Sequence, residues 1–103
     1  MDVIVVGDDP ERMRDALESE GHDVTVADVG NRPGLEEAGV LDAEVYMLTE
    51  MAQATSIAVA KDLNPELRVV VYAEGSLPDF ASRQTDLVVD PNLLGPDAVA
   101  EEL

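Results

Sequence analysis

The sequence predicts a doubly wound α/β domain, a three-layer αβα sandwich of five mostly parallel strands in the order 2-1-3-4-5. Three observations predict it. Residues 3–6 (VIVV) are an unbroken β-branched run closed by Gly7, and residues 67–73 (LRVVVYA) are a second long apolar run, as expected of strands buried on both faces of a parallel sheet. Each run leads across a short polar joint into a stretch with helix-start chemistry or helical spacing. Five strands and five helices alternate in this way, and right-handed crossovers then favour the stated order.

In order, the first strand feeds a helix that begins near Pro10. Asp8 or Asp9 can cap its free amides, Met13, Ala16 and Leu17 form its apolar stripe, and Gly21 ends it. Residues 22–28 (HDVTVAD) alternate apolar and polar, which predicts a strand with one better-buried face, at or near an edge. Residues 29–33 (VGNRP) are turn chemistry, and 33–38 a short helix closed by Gly39. Residues 44–49 (EVYMLT) read as the third strand. The longest helix is expected over 50–63, with a middle (AQATSIAVAKDL) that is small and apolar on nearly every side. The sheet covers only one face of such a helix, so the other is expected to pack on another helix or on a second subunit. The joint Asn64-Pro65-Glu66 stops it, and the fourth strand, 67–73, follows. A turn at 75–78, a short helix over 78–85, a last strand at 86–89 and a terminal helix over 96–103 complete the chain. A chain of 103 residues that is 46% hydrophobic supports one domain, residues 1–103, with one core.

Charge dominates the composition. There are 23 Asp and Glu against six Lys and Arg, a formal net charge of −17, and Lys61 is the only lysine. Such a surface repels phosphate backbones and anionic lipid, which argues against nucleic-acid and membrane-surface partners. The acidic, lysine-poor, Ala- and Val-rich composition resembles that of cytoplasmic proteins of extreme halophiles, here a halophilic archaeon, where molar salt cuts the screening length to roughly 3 Å and makes the repulsion tolerable. The absence of cysteine excludes thiolate chemistry, disulfides and Cys-ligated metal. No stretch approaches the ~18 apolar residues of a membrane span, and the N-terminus enters a core strand without a charged leader. A soluble cytoplasmic protein is the expectation.

From Glu36 onward the run EEAGVLDAEVYMLTEMAQATSIAVAKDLNPELRVVVYAEG resembles the second half of the TrkA-N domain, the Rossmann module of potassium-transport regulators, and the closing TDLVVDPNLLGPDAVAEEL resembles its end. Between Asp28 and Gly34 this chain has only a turn where that family carries a further helix and strand. The resemblance is therefore to a shortened, Rossmann-like TrkA-N domain, and the deletion converts a six-strand order into the five-strand one. It implies a regulatory module, a dinucleotide such as NAD or another adenine nucleotide as cofactor, and pairing of domains.

The residues depart from that implication at the phosphate turn. The family's G-x-G-x-x-G lets backbone approach a pyrophosphate, but residues 7–12 here read GDDPER, so only Gly7 matches. Asp9 stands at the second glycine and Arg12 at the third. Two unit charges ~4 Å apart repel by about 4 kcal/mol at an effective dielectric near 20, so a carboxylate at that point opposes a phosphate strongly. Asp28 does match the acid that holds a ribose hydroxyl, although Asp also commonly ends strands and starts turns. Any cofactor contacts are expected from Gly7, Asp8, Asp9, Asp28, Thr49 and Glu50, as a vestigial site.

Paired acids after a first strand also occur in response-regulator receivers, which bind Mg²⁺ and take a phosphoryl group on a third-strand Asp. Asp8 and Asp9, with Glu50, could hold a divalent cation, since hard cations need only clustered oxygens. The third strand, however, ends Leu48-Thr49-Glu50, and the last ends Val89-Asp90-Pro91 where receivers place a lysine. His22 lies in a Gly-His-Asp turn, Ser19, Ser56, Ser76 and Ser82 lack a nucleophile-elbow pattern, and no P-loop is present. No catalytic residue is assigned. Tyr46, Tyr72, Met47 and Met51 read mainly as core. The leading expectation is a non-enzymatic regulatory or assembly module that has lost dinucleotide binding and acts as a homodimer through helical faces, with a protein partner and no cofactor. The alternative is a regulatory domain that still binds NAD or an adenine nucleotide in an acidic crevice where Gly7, Asp8, Asp9, Asp28, Thr49, Glu50, Glu74 and Gly75 converge.

Overall fold

The computed structural model describes residues 1–7 and 10–103. Five parallel strands form one sheet: β1 (Asp2–Val6), β2 (Asp23–Ala27), β3 (Val45–Leu48), β4 (Arg68–Tyr72) and β5 (Leu87–Val89), in the order β2-β1-β3-β4-β5. This is the expected topology. The helices are α1 (Pro10–Ser19), α2 (Arg32–Glu37), α3 (Ser56–Leu63), α4 (Asp79–Ser82) and α5 (Pro96–Glu102).

Alternation along the strands divides the core in two. Ile4, Val6, Tyr46, Leu48, Val69 and Val71 face α2, α3 and α4, where they meet Leu35, Ile57, Ala60 and Ala81. Val3, Val5, Val45, Met47, Val70 and Val89 face α1 and α5, where they meet Met13, Leu17, Val99 and Ala100. The β1 residues 3–6 are all buried, as an interior strand with helices on both sides requires. Fully burying each such side chain stabilises by about 1.5–3 kcal/mol. The edge strand β2 is only half buried, in keeping with its apolar–polar alternation.

Local chemistry sets the helix boundaries. Asn31 caps α2 by accepting a hydrogen bond from the Gly34 amide at 2.9 Å, and Pro33 sits in the first turn, where a missing amide costs nothing. Two short 3₁₀ turns, Val40–Asp42 and Met51–Gln53, were not anticipated.

The second of these corrects the expectation of one long helix over 50–63. The chain leaves β3 extended at Glu50, makes the 3₁₀ turn, and enters α3 only at Ser56, so α3 has eight residues and α1, with ten, is longer. The physical reason is the side chain of Gln53, whose hydrogen bonds to the loop after β2 hold this turn tight. Apolar periodicity over a single turn does not distinguish it from the start of an α-helix.

The covering of α3 follows from packing within the chain. Ser56, Ile57 and Ala60 are buried, Val59 and Leu63 pack partly against the α2-side core, and α2 itself lies against α3. Ala52 and Ala58 remain exposed, a small apolar area. Of the two coverings expected for this segment, another helix supplies the one observed. Lys61, in the last turn of α3, donates to the Leu67 carbonyl, and buried Asn64 donates to the Val40 and Ala43 carbonyls at 2.9 and 3.0 Å.

Candidate functional site

In an open parallel sheet the ligand crevice lies beyond the carboxyl ends of the strands, where the strand order reverses, here between β1 and β3. At that point the two strands leave almost no room between them. Gly7, the residue after β1, has φ +128°, and a Cβ placed on it would lie 2.6 Å from Thr49 Oγ1 and 2.7 Å from the Glu50 amide nitrogen. Thr49 binds the same exit: its amide donates to the Val6 carbonyl at 2.8 Å and its hydroxyl at 3.2 Å. Glycine at position 7 is thus required by the approach of one strand exit to its neighbour.

A second device joins the exits that flank β1. Gln53, after β3, accepts a hydrogen bond from the Gly30 amide at 2.9 Å, donates to the Asp28 carbonyl at 3.0 Å, and donates to Glu50 Oε1 at 2.8 Å. Asp28 to Gly30 follow β2, so one amide side chain straps the β2 exit to the β3 exit. Gly30 is buried beneath this strap, and a Cβ there would overlap the Ser56 side chain and lie 2.7 Å from the Tyr46 hydroxyl. That hydroxyl donates to Ser56 Oγ at 2.7 Å. Burial pushes the Tyr46 pKa up to about 12, partly offset by the Ser56 hydrogen bond.

On the other side of Glu50 lies a cavity of about 440 Å³, lined by Arg12, Met13, Thr49, Glu50, Met51, Tyr72, Glu74 and the 91–96 loop among others. Its carboxylates are also engaged by the chain. Glu50 is bound by Gln53, and Glu74 Oε1 accepts from Asn92 Nδ2 at 2.6 Å. The Tyr72 hydroxyl donates to the Leu94 carbonyl at 2.8 Å. Burial raises the Tyr72 pKa, and the positive charge of Arg12 opposes that rise. Among the described residues Arg12 is the one cationic side chain lining the cavity.

The expected site residues therefore fall into separate places. Gly7, Thr49 and Glu50 adjoin, and Thr49, Glu50 and Glu74 line one cavity. Asp28 is exposed and opens onto a different hollow, between β2 and α2, although its carbonyl is tied to Glu50 through Gln53. Asp8 and Asp9, expected as cap, phosphate-facing acids and cation ligands, lie outside the described residues. Among the described residues no group of three metal-ligating side chains forms. His22 sits before β2, at the opposite end of the sheet from the cavity, with Nδ1 3.4 Å from the N-terminal amine. Gln53 is the residue that sequence reasoning missed, because its partners lie 23 and 25 positions earlier and only the fold brings them together.

A five-stranded parallel sheet in the order 2-1-3-4-5, flanked by two helices on one face and three on the other, makes this a Rossmann-like, flavodoxin-like α/β domain. The chain belongs to DUF7126, a family of unknown function whose model matches residues 3–103. No curated protein matches the sequence. Among solved structures the chain is similar to HP1043, an orphan response regulator of H. pylori, at 13% identity and TM-score 0.77, covering 99% of this chain and 92% of that one. It is similar to a CheY-like response regulator receiver domain protein from Methanospirillum hungatei JF-1 at 19% identity and TM-score 0.70, covering 98% and 88%. The TrkA-N domain of the inner membrane protein ybaL from Escherichia coli matches at 17% identity and TM-score 0.57, covering 97% and 91%. At these identities the likeness is one of fold. Among the described residues no helix is long and apolar enough to cross a membrane.

Proposed function

We propose that this chain is a non-enzymatic regulatory or assembly module whose Rossmann-like crevice no longer takes a dinucleotide, and that it works in the cytoplasm of a halophile as a homodimer. The Gln53 strap carries this reading. A ribose held by Asp28 would meet a loop whose Asp28 carbonyl and Gly30 amide are already bound by Gln53. The broken GDDPER turn points the same way, because Gly7 is explained by its approach to Glu50 and the remaining family glycines are absent. Receiver-type phosphoryl transfer has no acceptor at the end of β3, where Thr49 stands. A receiver-like or TrkA-N-like fold without either chemistry retains what such folds offer any regulator, a rigid scaffold with surfaces for other chains.

The test is calorimetric titration of NAD, ATP and Mg²⁺ into the wild type in molar KCl, repeated with Asp9→Gly. The expected result is no micromolar binding by the wild type. Micromolar affinity for NAD or ATP would overturn the reading in favour of a nucleotide-sensing domain, and weak binding strengthened by Asp9→Gly would mark a site lost by charge.

A further inference from the structure

We propose that the β5 edge of the sheet, with Phe80 of α4, Leu87 and Val88 of β5, and Leu93 and Leu94 of the loop before α5, is the face on which two copies of this chain join. The proposal rests on the reading of the protein as a self-associating module and names the surface that does it.

The placement of apolar exposure is the first observation. Eight large apolar side chains are exposed among the described residues, and five of them fall between positions 80 and 94. Met1, Val29 and Leu41 are scattered through other segments. Leu93 is 79% exposed, Val88 52% and Phe80 51%, values that leave most of each side chain in water. Among the described residues β5 is hydrogen-bonded to β4 alone, so no further strand lies along its outer edge. The Tyr72 hydrogen bond to the Leu94 carbonyl holds the loop beside the end of β4. A standard interface takes about 800 Å² from each partner, more than one short strand supplies. Here a helix, a strand and a loop contribute together. Large exposed apolar patches on a domain mark interfaces.

Charge identifies the occupant as a second copy. A chain of −17 repels its own copy wherever carboxylates are dense, and residues 67–95 hold only four of the 23 acids, Glu74, Asp79, Asp86 and Asp90, with two of the six basic residues, Arg68 and Arg83. Three of those four carboxylates are already bound internally. Asp86 accepts from the Val69 amide, Asp90 from the Asn92 amide, and Glu74 from the Asn92 side chain. Arg83, at the end of α4, makes no ion pair among the described residues and is available to a carboxylate of the opposite copy. A basic partner, by contrast, is drawn to the acid-rich remainder of the surface. Closed two-fold pairs are the commonest way for one face to meet itself.

Light scattering of the full chain in molar KCl tests this, with Val88→Asp, Leu93→Asp and, as a control on the exposed side of α3, Ala58→Asp. Each substituted side chain is exposed, so unchanged circular dichroism and melting are expected for all three. The wild type should be a dimer, either edge variant should weaken it about tenfold or more, and Ala58→Asp should leave it intact. A dimer that tolerates both edge variants, or that only Ala58→Asp disrupts, overturns this face and leaves self-association standing. A wild type that stays monomeric at high protein concentration overturns the face and the dimer together, while the nucleotide titration still judges the lost crevice separately.

Discussion

The β1–β3 crevice and the β5 edge are opposite cases of surface chemistry within one sheet. At the crevice, groups that could serve a ligand are engaged by the chain itself: the Gly30 amide and Glu50 carboxylate by Gln53, Glu74 by Asn92, and the Tyr72 hydroxyl by Leu94. At the edge, apolar groups that folding would bury remain in water. Satisfied polar groups gain little from a ligand, because binding must first break existing hydrogen bonds. Exposed apolar groups gain from any partner that removes them from water. The difference places the unspent interaction energy of this molecule at its edge.

The largest effect expected from disturbing the crevice is at Gly7. Gly7→Ala forces a side chain into φ +128° and against the Glu50 amide, which is backbone and yields little. A loss of about 3 kcal/mol or more is expected, seen as a melting temperature lowered by more than about 10 °C. An unchanged melt would show that the two exits are looser than their geometry implies.

Gln53→Ala is the next largest. It removes the acceptor of the Gly30 amide and a donor to the Asp28 carbonyl, and a loss of about 1–2 kcal/mol by chemical denaturation in molar KCl is expected. The same variant sharpens the contrast. It should open the 28–30 loop to hydrogen exchange without altering self-association, since the β5 edge lies on the far side of the sheet.

Alkali gives a smaller, graded effect. Tyr46 is raised from the ordinary value of 10 to about 12, so the folded state keeps its proton where the unfolded state releases it. Its contribution to stability is complete below pH 10 and is lost as pH rises from there through about 12. Stability measured across that window should fall, and Tyr46→Phe should remove that residue's share of the slope.

Much of this fold was legible in the sequence because parallel interior strands must be apolar on both faces. Residues 3–6 and 67–73 carry that pattern unbroken, and Gly and Pro punctuate the joints between elements. The position of the crevice followed from topology. The Gln53 strap across it did not, since it is a long-range contact of one amide side chain, and the small residues around Gln53 fit a helix as well as a 3₁₀ turn. The β5 edge was equally hidden. Leu87, Val88 and Val89 read alike in sequence, yet Val89 is buried and its two neighbours are exposed. What separates them is packing: Val89 joins the core beneath α1 and α5, while among the described residues no strand lies beyond β5 to cover its neighbours, which is a property of the whole sheet.

The most direct test of the account is hydrogen exchange on the wild type in molar KCl, dilute and concentrated, with and without NAD. The account predicts protection gained across residues 80–94 on concentrating the protein, and none gained at residue 7, 28–30 or 49–53 on adding NAD. Protection of the crevice segments by NAD, with no concentration dependence along the β5 edge, would contradict it.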